Sequence, residues 1–209
     1  STAPATVTFE QFGKSVVTSG LLSGDELKAW YTSLPAAERP RDAEKFAHAL
    51  VAHRKISKYQ AQVLLQGKSQ SLAFGNYVLE SQLGVGASGA VFKAKHKLSG
   101  RTVAIKVLSA AMAKDETAVK RFRREVEAAG RLVHPNIVQS FDAGELNGQH
   151  YLVMDFVDGA DLSSVVKSKG PMPADKAISC IRQAASALQF AHEKGVVHRD
   201  IKPGNLLYD

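Results

Sequence analysis

Residues 84–91 read Gly-Val-Gly-Ala-Ser-Gly-Ala-Val, and the segment after these three glycines narrows the architectures open to the chain. The same spacing opens a dinucleotide-binding βαβ unit, where it must run into a helix whose N-terminus holds a pyrophosphate. Here it runs into Ala90-Val91-Phe92-Lys93-Ala94 and then, across a Ser99-Gly100 turn, into Thr102 to Leu108. Both stretches are apolar and rich in β-branched residues, so they read as strands. The glycines therefore belong to a hairpin in an antiparallel meander that begins at Tyr77-Val78-Leu79. A P-loop is excluded because no Gly-Lys-Ser/Thr comes after them. A hairpin without side chains at three points can lie close over a triphosphate and donate backbone N–H groups to it.

Before residue 77 the pattern is helical. Ser23 with Glu26, and Ser57 with Gln60, have capping-box spacing. They predict helices that bury Leu27 and Trp30 in one case, and Tyr59, Val63 and Leu64 in the other, the latter ending at Gly67. Phe9, Phe12, Val16 and Val17 mark an earlier helix, and Phe46, Leu50 and Val51 mark one entered through Pro40 and Asp42. Residues 1–70 thus read as a small all-α domain with Gly67 to Leu72 as its polar exit, and 71–76 as a linker. His48 and His53 are five apart, off the three-or-four spacing of paired helical ligands, and read as surface histidines. After the meander, residues 117–131 read as a helix burying Val119, Phe122, Val126 and Ala129. Strands are expected at Ile137 and from Tyr151 to Val157, and a long helix carries Ile178, Ile181, Ala185 and Leu188 to a stop at Gly195.

Composition removes several classes of function. The chain has 209 residues, 44% hydrophobic and 22% charged, which excludes collagen, coiled coil and low-complexity disorder. The net charge of +7 is spread over both halves, and its tightest cluster, Lys120-Arg121-Arg123-Arg124, is broken by Phe122 and followed by Glu125. That is a solvated helix face, so no nucleic-acid partner is expected. Cys180 is the single cysteine, which excludes an intrachain disulfide and suits a reducing compartment. Ser1 to Phe9 lacks signal-peptide character, and a cytoplasmic location is expected. The start at Ser1 reads as a processed or recombinant end.

Two further stretches carry chemistry. Val103-Ala104-Ile105-Lys106 puts a lysine on an apolar strand, where an ammonium needs a counter-charge. Glu125 and Glu127 on the next helix are the candidates, and Glu125 is preferred because it lies three residues after the buried Phe122. His198-Arg199-Asp200-Ile201-Lys202-Pro203-Gly204-Asn205 comes after the long helix. Asp200 can accept a proton from an attacking hydroxyl, Lys202 can neutralise a transferred phosphoryl group, and Asn205 can offer its amide oxygen to Mg²⁺.

In these motifs and their order, residues 77–209 resemble the eukaryotic-like Ser/Thr protein kinases, in a form similar to bacterial members. The resemblance implies an α+β, protein-kinase-like fold. An antiparallel N-lobe sheet with one main helix (77–157) would precede a partial helical C-lobe (158–209). It implies ATP and Mg²⁺ as cofactors and protein Ser/Thr hydroxyls as substrates. By the same resemblance Gly84, Gly86 and Gly89 cover the nucleotide. Val91 and Ala104 lie above the adenine and Leu207 below it. Met154 is the gatekeeper, Asp155 and Val157 supply hinge backbone contacts, and Asp161 takes the ribose. Lys106 and Glu125 form the ion pair of the active state, and Asp200, Lys202 and Asn205 form the catalytic loop, with Asn205 on the metal. The lysine two after Asp200 resembles the Ser/Thr rather than the Tyr class, and Arg199 resembles kinases switched on by an activation-loop phosphate.

Two departures stand against this pattern. Ser140 occupies a position usually aliphatic in the family. The sequence also ends at Asp209, before an Asp-Phe-Gly motif, so the 209-residue chain by itself is expected to be inactive, and the face of Ile178, Ile181 and Leu188 is expected to favour self-association. The rival reading is a non-catalytic ATP-binding scaffold, or pseudokinase. Residues 1–70 resemble segments preceding some bacterial kinase domains, at Tyr59-Gln60-Ala61 and Leu64-Leu65-Gln66-Gly67-Lys68. They read either as a docking or dimerising domain or as a packed extension of the N-lobe.

Overall fold

A computed structural model describes residues 7–86 and 88–209. The chain divides into two compact units after Val107. The first begins with four helices, α1 (Phe9–Thr18), α2 (Gly24–Ser33), α3 (Ala43–Ala52) and α4 (Lys58–Leu65). Each starts where a side-chain oxygen accepts an otherwise orphaned N–H. Thr8, Ser23, Asp42 and Ser57 serve Gln11, Glu26, Lys45 and Gln60. At α1, α2 and α4 the third helical residue reaches back to complete a capping box, and each cap is worth about 1 kcal/mol. The Ser23 and Ser57 boxes are those expected. Gly67, at φ +72°, ends α4 in the left-handed conformation that glycine adopts without strain.

Phe46 is the centre of the helical core, 3% exposed. Its ring lies 4.8 Å from Phe9, 5.6 Å from Phe12, 5.8 Å from Tyr31 and 6.0 Å from Trp30. Phe12, Val16, Leu50 and Leu64 close the core around it.

The strands of this unit are β1 (Ala73–Phe74), β2 (Tyr77–Gly86), β3 (Gly89–His96) and β4 (Thr102–Leu108), in spatial order β1-β2-β3-β4. The β1–β2 and β2–β3 pairs are antiparallel, as the meander requires. β2 is buried from Tyr77 to Leu79 and exposed from Gln82 to Gly86, so the hairpin projects from a packed base.

The second unit contains α5 (Glu116–Gly130), β5 (Ser140–Leu146) and β6 (Gln149–Asp155). Asp115 caps α5, and Phe122, Val119 and Val126 pack with Leu108, Leu152 and Met154. β5 and β6 form an antiparallel hairpin across Asn147-Gly148, both at positive φ, as a tight two-residue turn with the twist of the strands demands. The strand expected at Ile137 starts instead at Ser140. Ile137 closes a turn after Pro135, donating its N–H to His134 O at 3.0 Å. β6 likewise ends at Asp155, short of the expected Val157.

β7 (Ala160–Asp161), α6 (Leu162–Lys169), α7 (Ala174–Glu193) and β8 (Leu207–Tyr208) complete the chain. α6 is an element that the sequence pattern does not announce. α7 is the long helix expected, stopped before Gly195 at φ +74°, and Ile178 and Ile181 stand 67% and 69% exposed on it. No helix among the described residues is long and apolar enough to cross a membrane.

Truncating the ring on which the helical core converges, in Phe46→Ala, is expected to destabilise the first unit by about 3–5 kcal/mol. Denaturant unfolding followed by fluorescence of Trp30, the single tryptophan, measures this; a loss below about 1 kcal/mol would remove Phe46 from the centre of the core.

Candidate active site

In the first unit the glycines occupy the β2–β3 hairpin that the succeeding strand demanded. Gly84 faces Val91, Val85 faces Ala90, and Gly86 faces Gly89. Gly89 has φ +150°, a conformation that side chains rarely adopt. At Gly84 and Gly86 the reason for glycine is different: a Cβ added there would meet nothing within 4 Å. The surface over the hairpin is thus open to close approach of the backbone by a polyanion, and the residues fit the triphosphate of ATP. Val91 is half-buried on β3, and Ala104 and Lys106 share one face of the neighbouring β4, Ala104 buried and Lys106 half-buried.

Asp200, Lys202 and Asn205 come together in the second unit. Lys202 Nζ lies 2.9 Å from Asp200 Oδ2, and Asn205 Nδ2 donates to the same oxygen at 3.0 Å and to Asp200 O at 2.8 Å. The Asp200 N–H donates to His198 Nδ1 at 3.3 Å. Arg199, at φ +65°, turns the chain into this cluster through a conformation that costs a non-glycine residue about 1–3 kcal/mol. The Lys202 hydrogen bond, then that from Asn205, holds the Asp200 carboxyl below the ordinary aspartate range. Both donors converge on Oδ2, so Oδ1 is the carboxylate oxygen that an approaching hydroxyl could meet. Asn205 uses Nδ2 for Asp200, and its amide oxygen is a group that could ligate a cation. Among the described residues no group of three or more His, Cys, Asp or Glu side chains could hold a metal ion. The Asn205 amide oxygen is a donor of the kind that Mg²⁺ accepts beside phosphate oxygens and water.

Asp161 and Leu207 also meet, as partners in the β7–β8 pair. Asp161 is the N-cap of α6: Oδ2 accepts from Ser164 Oγ at 2.6 Å and Oδ1 from Ser164 N at 2.9 Å, and these bonds, the hydroxyl's first, lower its pKa. The residue expected at a ribose thus also starts a helix. Leu162 N donates to Leu206 O at 2.9 Å beside the pair. Sequence reasoning misses Gly159, where a Cβ would collide with Tyr208 O, so the close approach of β8 requires glycine. Its reason lies 49 residues downstream, beyond any local signal.

Met154 faces Ser140 at the end of the β5–β6 ladder and packs with Leu108, Phe122 and Leu152. The Asp155 N–H donates to Gln139 O at 2.9 Å, so a backbone bond from this residue to a base would come from its carbonyl. Val157 comes next, half-buried, outside the strand. Lys106 stands on β4 in the first unit, and Glu125 is exposed on α5 in the second, as is Glu127.

Replacing Lys202 by Met removes the stronger of the two donors on Asp200, so the carboxyl midpoint is expected to rise toward the ordinary aspartate value. The carboxyl ¹³C resonance followed through an acid titration reads this directly. An unmoved midpoint would assign the hold to Asn205 alone. In the unsubstituted chain the depressed pKa means that the stabilisation from this cluster is present above the ordinary aspartate value and is lost as pH falls through the lowered one.

Comparison with known proteins gives the family. Residues 77–209 match the protein kinase domain family. The serine/threonine-protein kinase PknH of Mycobacterium bovis is 46% identical over 134 residues, 64% of this chain and 22% of that protein. The serine/threonine-protein kinase PksC of Streptomyces coelicolor is 43% identical over 146 residues, 66% of this chain and 26% of that protein. The crystal structure of the Mycobacterium tuberculosis PknI kinase domain is 38% identical, with a TM-score of 0.57, over 65% of this chain and 56% of that one. The chain thus spans about a quarter or less of the curated relatives it matches, and the fold over the matched residues is that of a protein kinase. With well over half of its length matching the kinase domain, glycine hairpin and Asp200 loop included, the chain belongs to the protein kinase family.

Proposed function

We propose that this chain carries the nucleotide-binding hairpin and catalytic loop of a bacterial-type Ser/Thr protein kinase, which moves the γ-phosphoryl group of ATP to a protein hydroxyl. The observation that carries the reading is the convergence of Lys202 and Asn205 on Asp200 Oδ2. That arrangement leaves one carboxylate oxygen to orient a hydroxyl, one ammonium to meet phosphoryl charge and one amide oxygen for Mg²⁺. ATP bound with Mg²⁺ supplies the phosphoryl group and the charge neutralisation between its phosphates.

The residues of the chain divide the remaining work. Gly84, Gly86 and Gly89 bring backbone N–H groups over the phosphates, Val91 and Ala104 cover the base, and Leu207 lies beneath it. Met154 borders the base, Asp155 and Val157 offer backbone groups to its edge, and Asp161 meets the ribose. By the resemblance to kinases, Lys106 is assigned to the phosphate oxygens and Glu125 is assigned as its counter-charge. A carboxylate with a lowered pKa is a weak proton acceptor, so Asp200 acts first by orienting the hydroxyl and takes the proton late, which suits a loose phosphoryl transition state. Lys202, two residues after Asp200, supports Ser and Thr rather than Tyr as acceptors. A cytoplasmic location is part of the same proposal, supported by the single cysteine.

The test is Mg²⁺-dependent transfer of labelled γ-phosphate to a generic Ser/Thr substrate by this chain and by the kinase extended through a full catalytic domain. Transfer by the extended protein is expected, and Asp200→Asn is expected to lower its rate by about 10²–10⁴. Unchanged turnover would remove Asp200 from the reaction. Nucleotide binding without transfer in the extended protein would favour the scaffold reading, against which the presence of Lys106, Asp200 and Asn205 together now speaks.

A further inference from the structure

β2 is paired unequally along its two edges. β3 accompanies it along its length, whereas β1 covers only Tyr77 and Val78. From Leu79 onward the second edge presents backbone carbonyls that need donors from elsewhere. The first turn of α4 supplies them. Gln60 Nε2 donates to Leu79 O at 2.8 Å, and Ser57 Oγ donates to Glu80 O. Gln60 is 5% exposed, so its bond is made out of water. Tyr59, between the two, sets its ring 6.2 Å from Phe92 on β3.

Consecutive carbonyls of a regular strand point to opposite edges, so one helix end cannot ordinarily take two in a row. The register explains how it does so here. Leu79 faces Ala94 and Ser81 faces Lys93, which makes Glu80 an extra residue, a bulge. The bulge turns the Glu80 carbonyl toward the same helix as that of Leu79 and bends β2. It lies four residues before Gly84, while Phe92 is adjacent to Val91. Beyond it the hairpin is exposed from Gln82 to Gly86, so its direction is set at this base.

We infer that Ser57 and Gln60 are positioning residues for ATP: through the Leu79 and Glu80 carbonyls they hold the β2 bulge and so aim the glycine hairpin at the nucleotide. The inference rests on the reading of that hairpin as the nucleotide-binding element. It gives residues 1–70 a role inside the kinase, as a clamp that reduces the ordering the hairpin must undergo on binding.

Both side chains also cap α4, because Ser57 Oγ accepts from Gln60 N at 3.0 Å and Gln60 Oε1 accepts from Ser57 N at 2.8 Å. Two substitutions separate cap from clamp. Gln60→Glu keeps an acceptor for Ser57 N and loses the donor to Leu79 O. Ser57→Asp keeps an acceptor for Gln60 N and loses the donor to Glu80 O. Ser57→Thr keeps both functions. In the 209-residue chain, titration with MgATP and amide hydrogen exchange over residues 81–93 are measured together, with exchange in α1–α3 reporting an intact helical core. With that core intact, Gln60→Glu and Ser57→Asp are each expected to raise the Kd for MgATP about 3- to 10-fold and to speed hairpin exchange, the scale of one lost hydrogen bond. Ser57→Thr is expected to stay within about twofold of the unsubstituted chain. If Gln60→Glu disrupts the core by burying a charge, Ser57→Asp alone decides. Equal MgATP affinity in the folded clamp variants overturns the inference and leaves the nucleotide reading standing. Failure of the unsubstituted chain to bind MgATP overturns the nucleotide reading and the inference with it.

Discussion

A strand carbonyl turned away from its ladder must find a donor, and in the first unit this requirement joins the helices to the strands. Leu79 and Glu80 present two such groups side by side at a bulge, and α4 answers both from a single turn. The rest of the unit makes that answer possible. Phe46 and its four aromatic neighbours fix α1, α2 and α3 into one core, and Leu64 and Val63 on α4 belong to the same core. The end of α4 therefore has a fixed address. The hairpin it touches is held firmly at its base and exposed at its tip, which leaves the glycines open to a ligand while their approach is restricted.

The second unit solves the opposite problem, since the carboxylate to which the proposed function assigns the hydroxyl is exposed. Asp200 is 63% exposed at its side chain and cannot be fixed by burial. It is fixed by local bonding instead. Asn205 holds both its backbone carbonyl and its side chain, Lys202 holds the same side-chain oxygen, and His198 receives its N–H. The left-handed Arg199 is the conformational cost of bringing these donors onto one residue. The chain is also tied down just beyond Asn205, where Leu207 and Tyr208 pair with Asp161 and Ala160 over the side-chain-free Gly159. The loop is thereby anchored at both ends, by α7 before it and by the β7–β8 pair after it.

How far the fold and the site are legible from residues depends on where the cause of each element lies. Capping is local, so the Ser23 and Ser57 helices are visible, and the glycine hairpin is decided by the strand next to it. Asp200, Lys202 and Asn205 are visible because their chemistry is carried by order and residue type. Ile137 reads falsely as a strand because its apolar, β-branched side chain outweighs the turn that Pro135 begins. α6 escapes detection because Leu162-Ser163-Ser164-Val165-Val166 is poor in strong helix formers. Its start is imposed by the Asp161 cap and its fit by packing on the Pro203–Asn205 turn. The Glu80 bulge leaves no mark in composition or spacing, because it exists only in the register between two strands.

The two roles of Ser57 and Gln60 show why a motif can be read correctly and still understate its residue. As a capping box the pair needs one acceptor on each side chain, and many substitutions meet that need. As a clamp it needs a donor on each as well, and among uncharged side chains only an amide offers both groups at the reach of Gln60. An ionised Glu at that position would still cap α4, but it would face the Leu79 carbonyl with a second acceptor. Gln60 is therefore specified by the strand rather than by the helix in which it stands. The choice of amide over carboxylate records, in one residue, that the helical segment and the glycine hairpin are parts of a single structure.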